Sequence, residues 1–304
     1  MPDVVILTLS DPAGCGDACG GTVSTGTARC DSTPTPRVPV LACADALRGH
    51  GATVDLVSAC TEAEIDVALK PVEAGDSRLI VAAASDAQVR AVVRRLIRRY
   101  APPPSKRPAD LPADRTVFDL PPLGVLPLTP GLPELVVSLN LPRDPHAVAA
   151  ALLAGRERRL DLLRHDGGSV TLHGCLIGGV TASGTPAGWR GRVAVDNAVL
   201  TDGDEPIIAC AIRNAGASTV DGLPLVIDAD PADGRIEVAI AVPVVKRRLL
   251  REASVRFEVR RATGRGVSVL PRDEVPCVDD GIPGVLTRQR SWWMERGAWA
   301  TYVM

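Results

Sequence analysis

The stretch from Arg78 to Arg99 constrains the fold of this chain more than any other. Leu79-Ile80-Val81-Ala82-Ala83-Ala84 is a short apolar run without polar alternation, the pattern of a parallel strand covered on both faces. Helical spacing takes over at once. Val89, Val92, Val93, Leu96, Ile97 and Tyr100 share one face, while Arg90, Arg94, Arg95, Arg98 and Arg99 take the other and read as a solvated surface, with basic charge in the last turn where the helix dipole favours it. Between strand and helix lies Ala84-Ser85-Asp86-Ala87-Gln88, in the place where α/β proteins bind phosphate.

The flanking segments repeat the unit. Val4 to Leu9 predicts a first strand, Val40 to Arg48 a short helix stopped by Gly51, and Thr53 to Val57 a second strand. Thr61 with Glu64 forms a capping box for a helix through Leu69, and Leu123 to Pro127 is the next strand. Asp144 and Pro145 start a further helix over Ala147 to Ala154. Repeated βα units predict a parallel sheet with helices on both faces. The Pro-rich run from Ala101 to Arg115 reads as an exposed loop.

From Arg159 the character changes to short alternating strands with turns at Asp166-Gly167-Gly168, Asp202-Gly203-Asp204 and Asp233-Gly234, the pattern of an antiparallel β-sandwich. The predicted fold class is an α/β N-terminal domain with a parallel sheet, residues 1–140, followed by an antiparallel β-sandwich domain, residues 141–304. The tail holds Trp292, Trp293, Trp299 and Tyr302, which read first as a core-sealing segment because aromatics bury large areas wherever they can; a segment that lines or closes a cleft between the domains is the alternative.

Composition excludes several classes. The 304-residue chain can bury two cores, and 46% hydrophobic with 23% charged residues suits a soluble globular protein rather than a disordered one. A net charge of -2 and a pI near 6.1 argue against nucleic acid as a partner. No apolar run approaches the ~18 residues of a membrane span, and the chain starts in a strand without a basic leader, so a cytoplasmic location is expected. Lys70, Lys106 and Lys246 are the only lysines among 34 basic residues, a bias that suggests a GC-rich bacterial genome.

Eight cysteines are many for structural disulfides in such a compartment. Cys43, Cys60, Cys175, Cys210 and Cys277 sit among apolar neighbours and read as small core residues. Cys15, Cys19 and Cys30 lie in a glycine-rich loop. Unreactive thiols, a Cys15–Cys19 disulfide, a nucleophile or redox pair, and a zinc site completed by Asp11, Asp17 or Asp31 all stay open there.

The strand, acidic turn and Val-rich helix resemble the segment that carries Gly-Gly-Asp-Gly-Thr in the diacylglycerol kinase family of bacterial lipid kinases, which share the NAD kinase-like fold. Asp86 matches, whereas Ala84, Ser85, Ala87 and Gln88 stand where the family has Gly, Gly, Gly and Thr. Asp11-Pro12-Ala13-Gly14 resembles the family's Asn-Pro-x-x-Gly loop with Asp for Asn, and Leu139-Asn140-Leu141-Pro142 its Leu-Gly-Leu-Pro. Leu128 to Leu135, with Thr129, replaces the second phosphate loop. Asp230-Pro231-Ala232-Asp233-Gly234 is similar to the family turn whose acids hold a structural Mg²⁺, and an ordinary hairpin turn is an equal reading. Val278-Asp279-Asp280-Gly281-Ile282 resembles the Asp-Gly-Glu motif whose Asp is the proposed general base, with Ile282 in place of Glu.

The resemblance implies catalytic roles for Asp280 and Asp86, and the loop adds Cys15. It implies cofactor contacts at Asp11, Gly14, Ser85, Asp86, Gln88 and Thr129, and a metal at Asp230 and Asp233. Phosphoryl transfer depends on positioning and charge stabilisation, and most of that apparatus is replaced. The expected function is therefore a repurposed lipid-kinase homologue, a pseudokinase that binds or processes an apolar, lipid-like small molecule in a cleft between its domains, in bacterial specialised metabolism. An active ATP-dependent lipid kinase with an altered nucleotide site and a non-catalytic partner of an active enzyme are the alternatives, so whether the chain is an enzyme stays open. No cofactor is expected under the first reading; ATP and Mg²⁺ enter if kinase activity persists. No nucleic acid and no membrane span are expected, and self-association as a homodimer stays open.

Overall fold

A computed structural model describes residues 3–9, 38–103, 105–128, 133–179, 188–248 and 251–304. It divides into two compact units, one of residues 1–99, 120–158 and 300–304 and the other of residues 100–119 and 159–299. No described helix is long and apolar enough to cross a membrane.

The first unit runs β1 (Asp3–Leu9), α1 (Val38–Gly49), β2 (Thr53–Ala59), α2 (Glu62–Glu73), β3 (Ser77–Ala83), α3 (Asp86–Tyr100), β4 (Leu123–Pro127), α4 (Glu134–Ser138) and α5 (Pro145–Ala154). Its strands lie in the order β2-β1-β3-β4, all parallel, with Ile6 opposite Leu56 and Ile80, and Val81 opposite Val125. Ile6, Ile80, Ala82 and Leu126 pack against Val40, Cys43 and Leu47 of α1 and Val148 and Leu152 of α5, all buried. The uninterrupted apolar runs of β1 and β3 are explained by cover on both sides, since α2 packs on β1, β2 and β3.

Local signals act as their chemistry demands. Thr61 and Glu64 form the reciprocal capping box, and Asp144 caps α5 by accepting from the His146 and Ala147 amides ahead of Pro145. Helix α2 runs past Leu69 and carries Pro71 in its last turn, ending at Glu73. The arginine face of α3 is less solvated than its sequence suggests. Arg95 Nε donates to Asp66 Oδ1 at 2.9 Å, Arg98 reaches Glu62 at 3.1 Å, and Arg99 pairs with Glu73, so the face is sewn to α2.

The second unit holds β5 (Glu157–His165), β6 (Ser169–Thr171), β7 (Gly174–Gly178), β8 (Gly191–Val195), β9 (Ala198–Thr201), β10 (Ala209–Arg213), β11 (Gly216–Val220), β12 (Leu223–Ala229), β13 (Ile236–Arg248), β14 (Arg251–Gly264), β15 (Gly266–Pro271), β16 (Val275–Asp279), β17 (Ile282–Leu286) and most of β18 (Arg290–Tyr302). One antiparallel sheet has the order β14-β13-β10-β7-β16-β17; β18, β15, β8 and β9 follow one another in a second, with β5 between β18 and β6. Residues of both sheets, among them Cys175, Ile177, Ile212 and Val238 with Leu163, Val193, Val267 and Trp292, share one buried core. That is the sandwich the alternating strands predict. The far end of β18 belongs to the first unit, where Thr301 pairs in parallel with Leu123.

The run from Ala101 to Arg115 has no helix or strand among its described residues and is mostly exposed, as its sequence predicts; buried Leu111 and the bonds from Arg107 to the carbonyls of Leu111, Pro112 and Arg115 tether it. One reading of the sequence changes. Cys60 is half-buried beside the α2 cap, where its amide donates to Glu64, whereas Cys43, Cys175, Cys210 and Cys277 are core residues. The aromatic tail seals: Trp292, Trp299 and Tyr302 are buried in β18, and Trp299 Nε1 donates to the Asp161 carbonyl at 2.9 Å.

Candidate functional site

In the first unit, β3 hands over to α3 through Ala84 and Ser85, and the turn is closed by its own side chains. Gln88 Oε1 accepts from the Ala84 amide at 2.7 Å, and Gln88 Nε2 donates to the Leu9 carbonyl at 3.1 Å. Asp86, buried at the start of α3, accepts from the Leu135 amide at 3.0 Å. An anion at a strand–helix turn needs unspent amides and a positive helix end. Here the Ala84 amide is spent on Gln88, and the dipole of α3 already has a carboxylate in its first turn. Ser85 is half-buried in the same turn.

In the second unit, Asp280 sits in the left-handed region at φ 48, in the turn between β16 and β17. Its carboxylate gathers the chain between β6 and β7: Oδ2 accepts from Leu172 N at 2.7 Å, and Oδ1 from His173 N at 2.8 Å and Gly174 N at 3.0 Å. Gly174 is required there, because a Cβ would lie 2.5 Å from Arg213 Cδ and 2.7 Å from the Ile212 carbonyl. Asn214 holds the same crossing from the other side, donating from Nδ2 to the carbonyls of Asp161 and Leu172.

Ionisable groups that the sequence does not single out are buried around this crossing. Asp279 accepts from Thr171 Oγ1 at 2.7 Å and faces His165 Nε2 at 3.9 Å. His165 Nδ1 accepts from the Gly167 amide, which assigns the proton of the neutral ring to Nε2, on the Asp279 side. His173 Nδ1 lies 2.9 Å from Arg213 NH1, so the guanidinium donates and the neutral ring again carries its proton on Nε2. Burial, then the Arg213 charge, pushes His173 down to about 4. Asp161 accepts from the Gly234 and Gly297 amides, each at 2.6 Å, and burial raises its pKa although those two bonds oppose the shift. The sequence signal for these residues is an acid or histidine inside an apolar strand, as in Leu160-Asp161-Leu162-Leu163.

The cluster carries a pH signature. A histidine whose folded pKa lies below 6.5 takes up its proton more readily in the unfolded chain, so stability falls with pH from about 6.5 towards 4. Between pH 7 and pH 5 His173 is expected to remove on the order of 2 kcal/mol. Urea midpoints of the wild type and of His173→Gln, compared at the two pH values, check this: the variant should lose less, and equal losses would disprove it.

The residues predicted from sequence separate as follows. Asp86, Gln88 and Ser85 meet in one turn of the first unit; Asp280 lies in the second. Asp230 and Asp233 are exposed, and each bonds an amide of its own loop, Asp230 Oδ1 with Ala232 N at 3.0 Å and Asp233 Oδ1 with Arg235 N at 2.8 Å. Asp11, Gly14, Cys15, Cys19, Cys30 and Thr129 lie outside the described residues.

No family model matches the sequence, and a search of curated proteins gives no match. Solved structures do match, and over nearly the whole chain. A diacylglycerol kinase from Bacillus anthracis str. Sterne is 10% identical with a TM-score of 0.64, the comparison covering 99% of this chain and 97% of that one. Two further structures from that organism, provisionally described as diacylglycerol kinases, are 11% and 13% identical with TM-scores of 0.63 and the same coverage. At such identities the likeness is one of fold.

Proposed function

We propose that this chain, built on the fold of the bacterial diacylglycerol kinases, has left ordinary ATP phosphoryl transfer and binds an apolar, lipid-like small molecule instead. One observation carries the reading: the Gln88 side chain bridges the Ala84 amide and the Leu9 carbonyl, filling the turn in which a nucleotide phosphate would be cradled. The Cβ atoms at positions 84, 85 and 87 add bulk and restrict the backbone where the resembling kinases carry glycine. Phosphoryl transfer draws its rate from donors and metal held at the phosphates, and a turn bonded to itself supplies few donors.

Calorimetry with ATP and Mg²⁺ on the full chain tests this. No saturable heat is expected in the micromolar range, about -8 kcal/mol of binding free energy, while a panel of lipid alcohols and other apolar ligands raises the melting temperature. A micromolar dissociation constant for ATP together with turnover on a lipid alcohol would establish the active kinase in its place. Neither ligand binding, with capture of a catalytically active partner, would favour the non-catalytic reading.

A further inference from the structure

We propose that the far end of the β13–β14 hairpin is a docking element for an anionic lipid bilayer, with its apolar face at the lipid interface and its basic residues on the headgroups. The two strands pair from Ile236 opposite Gly264 to Arg248 opposite Arg251. Strand β10 accompanies β13 only between Glu237 and Ala241, and β14 is the edge of the sheet. Among the described residues, β13 from Val242 to Arg248 is therefore paired with β14 alone, over roughly 20 Å at ~3.4 Å per residue.

The base of this ribbon is fixed to its own unit. Arg260 donates to Glu258 Oε1 at 2.9 Å and to Glu205 Oε2 at 3.1 Å, and Arg261 donates to the Leu225 and Pro224 carbonyls at 2.7 and 2.8 Å. Beyond that clamp the chain leaves the core within two residues. Val242 is still a core residue, Pro243 and Val244 are half-buried, and Arg256 and Phe257 are exposed, Phe257 at 46%. A two-stranded ribbon without a third strand is marginal in water, so a surface that covers it would stabilise it.

Register and charge together name the occupant. The paired positions Pro243–Phe257 and Val245–Val255 share one face of the ribbon, and Val244–Arg256 and Lys246–Ser254 share the other. The sequence that joins the strands is Lys246-Arg247-Arg248-Leu249-Leu250-Arg251, in a chain of net charge -2. From Lys246 to Arg256 the acid Glu252 stands against Lys246, Arg247, Arg248, Arg251 and Arg256, and Glu258 beyond them is already bonded to Arg260. A basic segment with an apolar face has the chemistry of a peripheral anchor: anionic headgroups attract the charges, and the apolar face enters the boundary with the acyl chains. Nucleic acid would use the charges and leave the Pro, Val and Phe positions without a role. A second copy on the same face would bring like charges together. Such docking is independent of which small molecule the chain binds.

Co-sedimentation of the full chain with lipid vesicles is the test. Vesicles of phosphatidylglycerol and phosphatidylcholine in equal parts should carry the chain down at low salt, vesicles of phosphatidylcholine alone should not, and added sodium chloride should release it. Lys246→Glu combined with Arg248→Glu should weaken the partition by about tenfold or more, and Phe257→Ser should weaken it severalfold while keeping the preference for the anionic vesicles. The wild-type comparison of the two vesicles does not depend on the folding of either variant. Equal sedimentation with both vesicles, none with either, or full binding by the variants would overturn the proposal. So would a dimer in solution that Phe257→Ser dissociates, or tighter binding to a DNA duplex than to the anionic vesicles.

Discussion

Asp280→Ala is expected to lower the unfolding free energy of the β unit by ~3–5 kcal/mol. The substitution strands three buried amides, those of Leu172, His173 and Gly174, and each unsatisfied donor costs ~1–3 kcal/mol, less than additively because the loop relaxes as one piece. A second cost is the left-handed backbone at φ 48, which alanine adopts poorly. Two companions separate the terms. Asp280→Gly relieves the backbone and keeps the loss of acceptors, while Asp280→Asn tolerates the backbone and keeps one acceptor oxygen, so it should be the mildest of the three. Urea unfolding ranks them. An Asp280→Ala variant that kept the wild-type midpoint would refute the anchoring role.

Glu295→Ala should destabilise to a similar extent and expose a particular segment. The Glu295 carboxylate is completely buried; it accepts from the Thr116 amide at 2.8 Å, from the Thr116 hydroxyl and from Trp293 Nε1 at 3.2 Å, with Arg164 NH1 at 3.8 Å. Arg164 also donates to Thr116 and lies over the Trp293 ring at 5.6 Å. Removing one partner of such a group leaves an uncompensated charge and costs ~3–5 kcal/mol. Because Thr116 lies at the end of the Pro-rich run, its release should let trypsin cut after Lys106 or Arg115 many times faster than in the wild type. Thr116→Val, which removes the hydroxyl and keeps the amide, should show a smaller change. An unchanged cleavage pattern in Glu295→Ala would mean that the segment is held by Leu111 and its neighbours alone.

These two anchors show where reading by sequence stops. Strand β3, helix α3, the capping box at Thr61 and the start of α5 at Asp144 are all set by neighbours within about four residues, through period, dipole and cap chemistry. Asp280 with Leu172 and Glu295 with Thr116 join residues 108 and 179 apart in sequence, and nothing local marks them as partners. The same limit applies to charge. The arginines of α3 look solvated along the helix, and only the placement of α2 beside it turns Arg95 and Arg99 towards Asp66 and Glu73.

What the sequence determined by itself is the order and kind of the elements: uninterrupted apolar runs alternating with helices as far as α5, then half-polar strands with Asp-Gly turns. Those patterns follow from side-chain periodicity, which is a property of the local chain. What only the tertiary structure decided is how the polar groups inside those elements are spent. Gln88 reads as a motif substitution until its amide is seen to satisfy Ala84 and Leu9, and nothing local to Asp280 shows that its oxygens accept from three amides. A buried polar atom takes whatever partner the fold brings to it, because leaving it without one costs more than almost any local preference can return.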